Sequence, residues 1–223
     1  MDIYEAMRAR HSVRRYLAKP IEAEIVRELE AEIERCNSEG GLRIQLLTEA
    51  PEAFQSILAT YGLLRGVRNC IALVGRDKED LDERVGYYGE QLVLRAQMLG
   101  LNSCWVGGTY DKKKIRAAIG EGERLALVIA LGYGANQGSE RKKKAAAQLY
   151  RAEGEVPAWF LAGVESARLA PTAINQQKFR FHLLPEGSVR AEDLGGPYSK
   201  VDLGIVKYHF ELGAGVENFR WAE

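Results

Sequence analysis

Arg10, Ser12 and Arg14 stand at alternate positions in the run Ala9-Arg10-His11-Ser12-Val13-Arg14-Arg15-Tyr16. In an extended segment alternate side chains share a face. Two guanidinium forks and a hydroxyl then converge on one small anion. A dianionic phosphate suits such a set, because charge-assisted bonds are strong and the arginine fork matches phosphate oxygens. Read alone, the run also fits a solvated basic turn after a helix. A second candidate is Val106-Gly107-Gly108, where two glycines past an apolar run let backbone N–H groups approach a flat ligand without Cβ interference. An ordinary tight turn gives the same pattern. A third is Gly138-Ser139-Glu140-Arg141-Lys142-Lys143-Lys144, a basic stretch able to fold over an anion or to remain a solvated loop. No nucleophile–base triad is visible: His11, His182 and His209 are dispersed, and Cys104 reads as a small buried hydrophobe rather than a redox thiol.

The elements that must position these residues follow from periodicity. A short amphipathic segment with Ile3 and Met7 precedes the arginine run. Ile21, Ile25, Leu29 and Ile33 predict a helix opening after Pro20, with Glu22 and Glu24 well placed in its first turn and a stop at residues 37–41. Residues 42–47 read as a strand. Residues 51–64 read as a helix, apolar at Phe54, Ile57, Leu58 and Tyr61. Residues 70–74 are a buried strand and 86–99 a central helix, apolar on more than one side. A strand follows at 102–106, then a helix through Ile119 capped by Asp111, and a buried strand at 125–131. Residues 148–155 are polar and read as a linker. A helix begins at Pro157, a strand covers 180–184, Gly195-Gly196-Pro197 turns the chain, and 202–212 is a helix. Phe219 and Trp221 dock the tail on the body.

Composition narrows the function classes. With 31 basic and 31 acidic residues in 223, the net charge is zero, which argues against a general nucleic-acid or anionic-membrane binder. No apolar run is long enough to span a bilayer, and the first residues lack the pattern of a signal peptide. Cys36, Cys70 and Cys104 form neither a metal pattern nor a disulfide framework, so a reducing cytoplasm is expected. Two stretches echo each other in the same order. Arg43-Ile44-Gln45-Leu46-Leu47 resembles Arg180-Phe181-His182-Leu183-Leu184, and Gln97-Met98-Leu99-Gly100 resembles Phe210-Glu211-Leu212-Gly213. The expectation is an α+β chain of two related halves, residues 1–150 and 151–223.

Taken together, these segments resemble the nitroreductase family of FMN-dependent oxidoreductases over most of the chain. Arg10-His11-Ser12-Val13-Arg14 is similar to its R-x-S-x-R/K phosphate motif. Gly100-Leu101-Asn102-Ser103-Cys104-Trp105-Val106-Gly107 is similar to "GLGTCWIG", and Ala170-Pro171-Thr172-Ala173-Ile174-Asn175-Gln176-Gln177-Lys178-Phe179-Arg180-Phe181 to "APSxxNxQPWxF". Lys178-Phe179 replaces the usual Pro-Trp, and the motif lies in the second half rather than after the first long helix. The resemblance therefore implies a single chain that mimics the usual homodimer, a pseudo-dimer with one FMN site, either monomeric or weakly dimeric.

The resemblance also implies the site. Arg10, His11, Ser12 and Arg14 would hold the FMN phosphate, with Arg141 and Lys143 closing over it. Val106, Gly107 and Gly108 would lie at the isoalloxazine, a glycine N–H toward N5, and Arg65 near N1 and O2. Pro171, Thr172, Ala173, Asn175 and Gln177 would come from the other half. Chemistry would rest on the flavin rather than on a catalytic side chain, and no metal is implied. The implied activity is ping-pong transfer from NADH or NADPH to a small-molecule acceptor such as a nitroaromatic or quinone. The alternative is a flavin-binding protein of the same fold without turnover.

Overall fold

The computed structural model describes residues 1–56 and 60–222. It divides into two compact units, Met1–Leu81 with Gln91–Glu140, and Asp82–Glu90 with Arg141–Glu223. Among the described residues no helix is long and apolar enough to cross a membrane.

The first unit begins with α1 (Ile3–Ala9), started by a capping box: the Asp2 carboxylate accepts from the Glu5 N–H, and the Glu5 carboxylate accepts from the Asp2 N–H. Helix α2 (Ala23–Gly40) buries Leu29 and Ile33 of the expected four-residue repeat together with Cys36, begins after Ile21, and ends on Gly41 in the left-handed region. Four strands form an antiparallel sheet in the order β1-β2-β4-β3: β1 (Gln45–Leu47), β2 (Asn69–Arg76), β3 (Asn102–Val106) and β4 (Glu123–Gly132). The β2–β4 register slips between Leu73 and Val74. Val13, Tyr16, Phe54, Cys70, Cys104 and Val128 belong to one buried cluster in this unit. Helix α3 (Leu81–Met98) supplies its residues from Gln91 onward to this unit, where Leu92, Val93 and Leu94 are fully buried.

The second unit holds residues 82–90 of α3, helices α4 (Ala158–Ala167) and α5 (Ser199–Ala214), and a sheet ordered β5-β6-β7. Strand β5 (Tyr150–Ala152) runs parallel to β6 (Phe179–Leu183), and β7 (Val189–Asp193) runs antiparallel to it. Phe160, Phe181 and Phe210 are fully buried, with the Phe181 and Phe210 rings 4.5 Å apart. The tail docks as expected. Trp221 bridges to Val189 beside β7, Phe219 stacks on Trp159, and the Trp221 indole N–H donates to Glu211 at 2.6 Å.

Several local expectations are corrected. The segment after Asp111 is a short 3-10 turn, Lys112–Lys114, not a helix through Ile119. Three adjacent lysines and one Ile115/Ile119 pair give a short helix little to bury, and the Gln45 side chain instead bonds both the N–H and the C=O of Ala118. Residues 51–64 contain a 3-10 turn at Pro51–Phe54, and Tyr61 is 77% exposed with a left-handed φ of 50°. Ile57 and Leu58 lie outside the described residues. The stretch read as a linker contains β5, whose Tyr150 ring packs edge-on against Phe160. Strand β7 was not anticipated, because its sequence is mostly polar. The echoed strands differ in setting: β1 pairs with β2 alone, whereas β6 lies between β5 and β7.

Candidate functional site

In the first unit, α1 ends at Arg10, whose N–H bonds to the Ala6 carbonyl while its own backbone turns extended. The following strap is threaded by backbone bonds: the Val13 N–H to the Ser103 carbonyl, the Arg65 N–H to the Arg14 carbonyl, and the Tyr16 N–H to the Arg65 carbonyl. Val13 is fully buried in the core, so Ser12 and Arg14 face away from it. Alternation stops at Arg14 and Arg15, both exposed, before Tyr16 turns inward and its hydroxyl donates to the Ala130 carbonyl. Two glycines permit the close passage. A Cβ at Gly66 would lie 2.4 Å from the Tyr16 carbonyl oxygen, and one at Gly138 would lie 2.6 Å from the His11 Cβ. Both have positive φ.

Arg10, Ser12 and Arg14 all act on the Cys104 thiol. Burial raises its pKa, while the Arg14 and Arg10 charges and a Ser12 hydrogen bond pull the other way. Strap and strand meet beside this thiol, where Ser12 bridges to Ser103. Arg10 is 3% exposed, so its charge is largely withdrawn from water. Arg14 is exposed, and among the described residues no carboxylate pairs with it. His11 is half-buried. Val106 is the buried last residue of β3, and Gly107 and Gly108 form the bend after it. Arg65 lines a cavity of about 510 Å³ in this unit.

The second unit gathers the remaining expected residues into one hydrogen-bonded knot. The Gln177 carboxamide accepts from the Lys144 N–H and donates to the Lys142 carbonyl. Asn175 donates to the same Lys142 carbonyl, and the Gln177 N–H bonds to the Thr172 hydroxyl. The Arg141 guanidinium donates to the carbonyls of Leu169 and Ala170 at the end of α4. Lys143 is exposed and Pro171 buried. Ile174, Asn175 and Gln177 all have positive φ, an uncommon density for non-glycine residues and a marker of stored strain. Asp202 on α5 holds this loop. Both its oxygens accept from the Ala173 N–H, at 2.9 and 3.1 Å, and one accepts from Gln176 at 2.8 Å. Burial, opposed by these bonds and assisted by Asp193, pushes the Asp202 carboxyl up to about 6.

The sequence reasoning missed Asp202 and gave no place to Lys144, whose ammonium donates to the Gln177 carbonyl. A signal for Asp202 existed. It shares the buried stripe of α5 with Val206 and His209, where a carboxylate needs partners.

The family described as "Putative TM nitroreductase" matches residues 2–214. The chain belongs to this nitroreductase family. Among solved structures, a "putative nitroreductase" of Thermotoga maritima is 22% identical with a TM-score of 0.61, over 96% of this chain and 83% of that one. A "putative nitroreductase" of Desulfovibrio desulfuricans, solved in complex with FMN, is 24% identical with a TM-score of 0.54, over 70% of this chain and 99% of that one. A nitroreductase family protein of Streptococcus pneumoniae is 15% identical with a TM-score of 0.51, over 66% and 98% respectively. These likenesses show that this nitroreductase-family chain shares its fold with those proteins. No curated protein matches it.

Proposed function

We propose that this nitroreductase-family protein is an FMN-dependent oxidoreductase that passes electrons from NADH or NADPH to a small acceptor such as a nitroaromatic or quinone. Bound FMN would supply a ring that takes up and releases hydride. The observation that carries this reading is the extended strap bonded along β3, where Ser12 bridges to Ser103 and the Val13 N–H donates to the Ser103 carbonyl, so that Arg10, Ser12 and Arg14 stand at alternate positions beside the strand that ends at Val106. These residues suit a phosphate monoester. Arg10 is already ordered by burial, and among the described residues no carboxylate pairs with Arg14. His11 borders them. Val106, Gly107 and Gly108 are proposed to present backbone N–H groups to the ring. For the second unit, the loop of Pro171, Thr172, Ala173, Asn175 and Gln177 is proposed as flavin-facing, with Arg141 and Lys143 on the phosphate. No side chain is assigned as acid or base. We also propose one FMN per chain, in keeping with the pseudo-dimer reading.

The test is a flavin-fluorescence titration of the Arg10→Ala/Arg14→Ala protein. Loss of two charge-assisted contacts at about 1.5–3 kcal/mol each weakens binding by roughly 10²–10⁴-fold. Retention of stoichiometric FMN refutes the phosphate assignment, and two FMN per chain refutes the pseudo-dimer. Protein that binds FMN but stays oxidised under anaerobic NADH and NADPH favours a flavin-binding role without turnover.

A further inference from the structure

The cavity that Arg65 lines lies wholly within the first unit, and its walls have a definite chemistry. Phe54, Leu64 and Val67 are buried apolar residues on it, and the Tyr16 hydroxyl is turned away to the Ala130 carbonyl, which leaves that residue's ring as wall. Gly62 and Gly66 border it without side chains. At about 510 Å³ it falls in the range of small-molecule sites, which are mostly apolar with a few placed polar groups.

Two cations line the same cavity, and they differ. Arg68 is neutralised by Glu49, which accepts from both its Nε and its Nη2. Arg65 has no carboxylate partner among the described residues. One positive charge on this wall is therefore unbalanced. Next in sequence to the lining residues Gly62 and Leu64, Tyr61 and Leu63 are 77% and 55% exposed, and Tyr61 and Gly62 both have positive φ. Adjacent exposed apolar side chains and backbone strain beside a cavity are features that ligand sites retain.

We propose that this cavity binds a flat aromatic monoanion of the aromatic-carboxylate class. The ring lies against Phe54, Tyr16 and Leu64, and the carboxylate is taken by Arg65. The planar guanidinium matches a carboxylate with two parallel bonds, which a neutral substituent cannot accept with the same charge assistance. Arg65 then serves this ligand and not the flavin edge, and the test separates the two.

The purified protein, with whatever flavin it carries, is titrated by calorimetry with 4-nitrobenzoate and with neutral 4-nitrobenzyl alcohol. The carboxylate is expected to bind about tenfold tighter, the scale of one charge-assisted pair. Arg65→Gln should bring the two probes within twofold of each other, and Arg65→Lys should restore part of the preference. Gln55→Trp, at an exposed lining position, should weaken both probes by filling the space. Equal affinity for the two probes overturns the proposal, as does a preference that survives Arg65→Gln. Loss of bound FMN in Arg65→Gln, or displacement of 4-nitrobenzoate by added FMN, also overturns it by giving the cavity to the cofactor. A colourless protein that still prefers the carboxylate upholds this site while counting against the FMN reading.

Discussion

Replacing Asp202 by asparagine removes a buried charge and keeps most of its geometry. Asp202 is 5% exposed, and its carboxyl is pushed from the ordinary 3.8 up to about 6. Burial is the largest cause, and the bonds from Gln176 and Ala173 only partly offset it. The displacement corresponds to roughly 3 kcal/mol at about 1.36 kcal/mol per pH unit. The sign follows from which state holds the proton more tightly. Here it is the folded state, so the penalty is absent below the unfolded value near 3.8. It grows as pH rises and is fully present above about 6. In Asp202→Asn the amide oxygen still accepts from the Ala173 N–H. Gln176 must turn its carboxamide to receive the new NH2, which breaks its bond to the Pro197 carbonyl at a cost of about 1 kcal/mol. The variant should be more stable than the parent by roughly 2 kcal/mol at pH 8 and less stable by about 1 kcal/mol at pH 4. Urea unfolding followed by tryptophan emission from Trp159 and Trp221, both in the second unit, reads the difference across that range. Two stability curves that run parallel from pH 4 to 8 would refute the reasoning.

Other consequences are independent of flavin. His209 and Glu90 are fully buried and bonded at 2.9 Å, and the other imidazole nitrogen faces the Ser166 carbonyl at 3.3 Å. Either single change to leucine should cost about 3–5 kcal/mol by breaking one side of a fully buried pair, and the double change should cost less than the two singles added, as thermal or urea unfolding would show. Burial pushes the Cys36 and Cys70 thiols up to about 12 and also raises Cys104. All three should therefore resist a thiol-specific reagent at pH 8 in the native protein and react at once in urea; fast labelling of any of them in the native state contradicts that burial. Gly66→Ala places a methyl 2.4 Å from the Tyr16 carbonyl oxygen at a φ of 71°, so it should lower stability by about 2 kcal/mol or more and loosen the strap. Equal hydrogen-exchange protection of the Tyr16 N–H in the variant and the parent would contradict this.

Where one residue type dictated the backbone, the chain was legible. Pro20 and the four-residue repeat placed α2, the continuous apolar runs placed β2 and β4, and the extended reading of residues 10–14 matches a strap that leaves α1 in extended backbone and bridges to β3. Legibility failed where tertiary partners outweighed local pattern. Nothing in residues 111–119 announces that Gln45, some seventy positions earlier, takes the backbone groups of Ala118. Polar β5 and β7 exist because β6 supplies their hydrogen bonds. The inward turn of Lys144 to the Gln177 carbonyl was not legible either, because composition cannot say which lysine of a run turns inward.

The same division explains the two kinds of candidate residue. Those on the strap are held by backbone bonds to β3 and to residue 65, so their placement follows from extended geometry. Asn175 and Gln177 have side chains committed to the Lys142 carbonyl, Gln177 also accepting from the Lys144 N–H, and what they share is a strained backbone. Strain of this kind persists only where the surroundings over-determine it. Here the surroundings include one buried carboxylate, Asp202, that bridges Ala173 and Gln176 at a desolvation cost. An asparagine would make nearly the same contacts without that cost. A chain that retains the acid therefore carries a loop whose anchoring weakens the fold as pH rises through about 6, a dependence that hydrogen-bond geometry alone would not require.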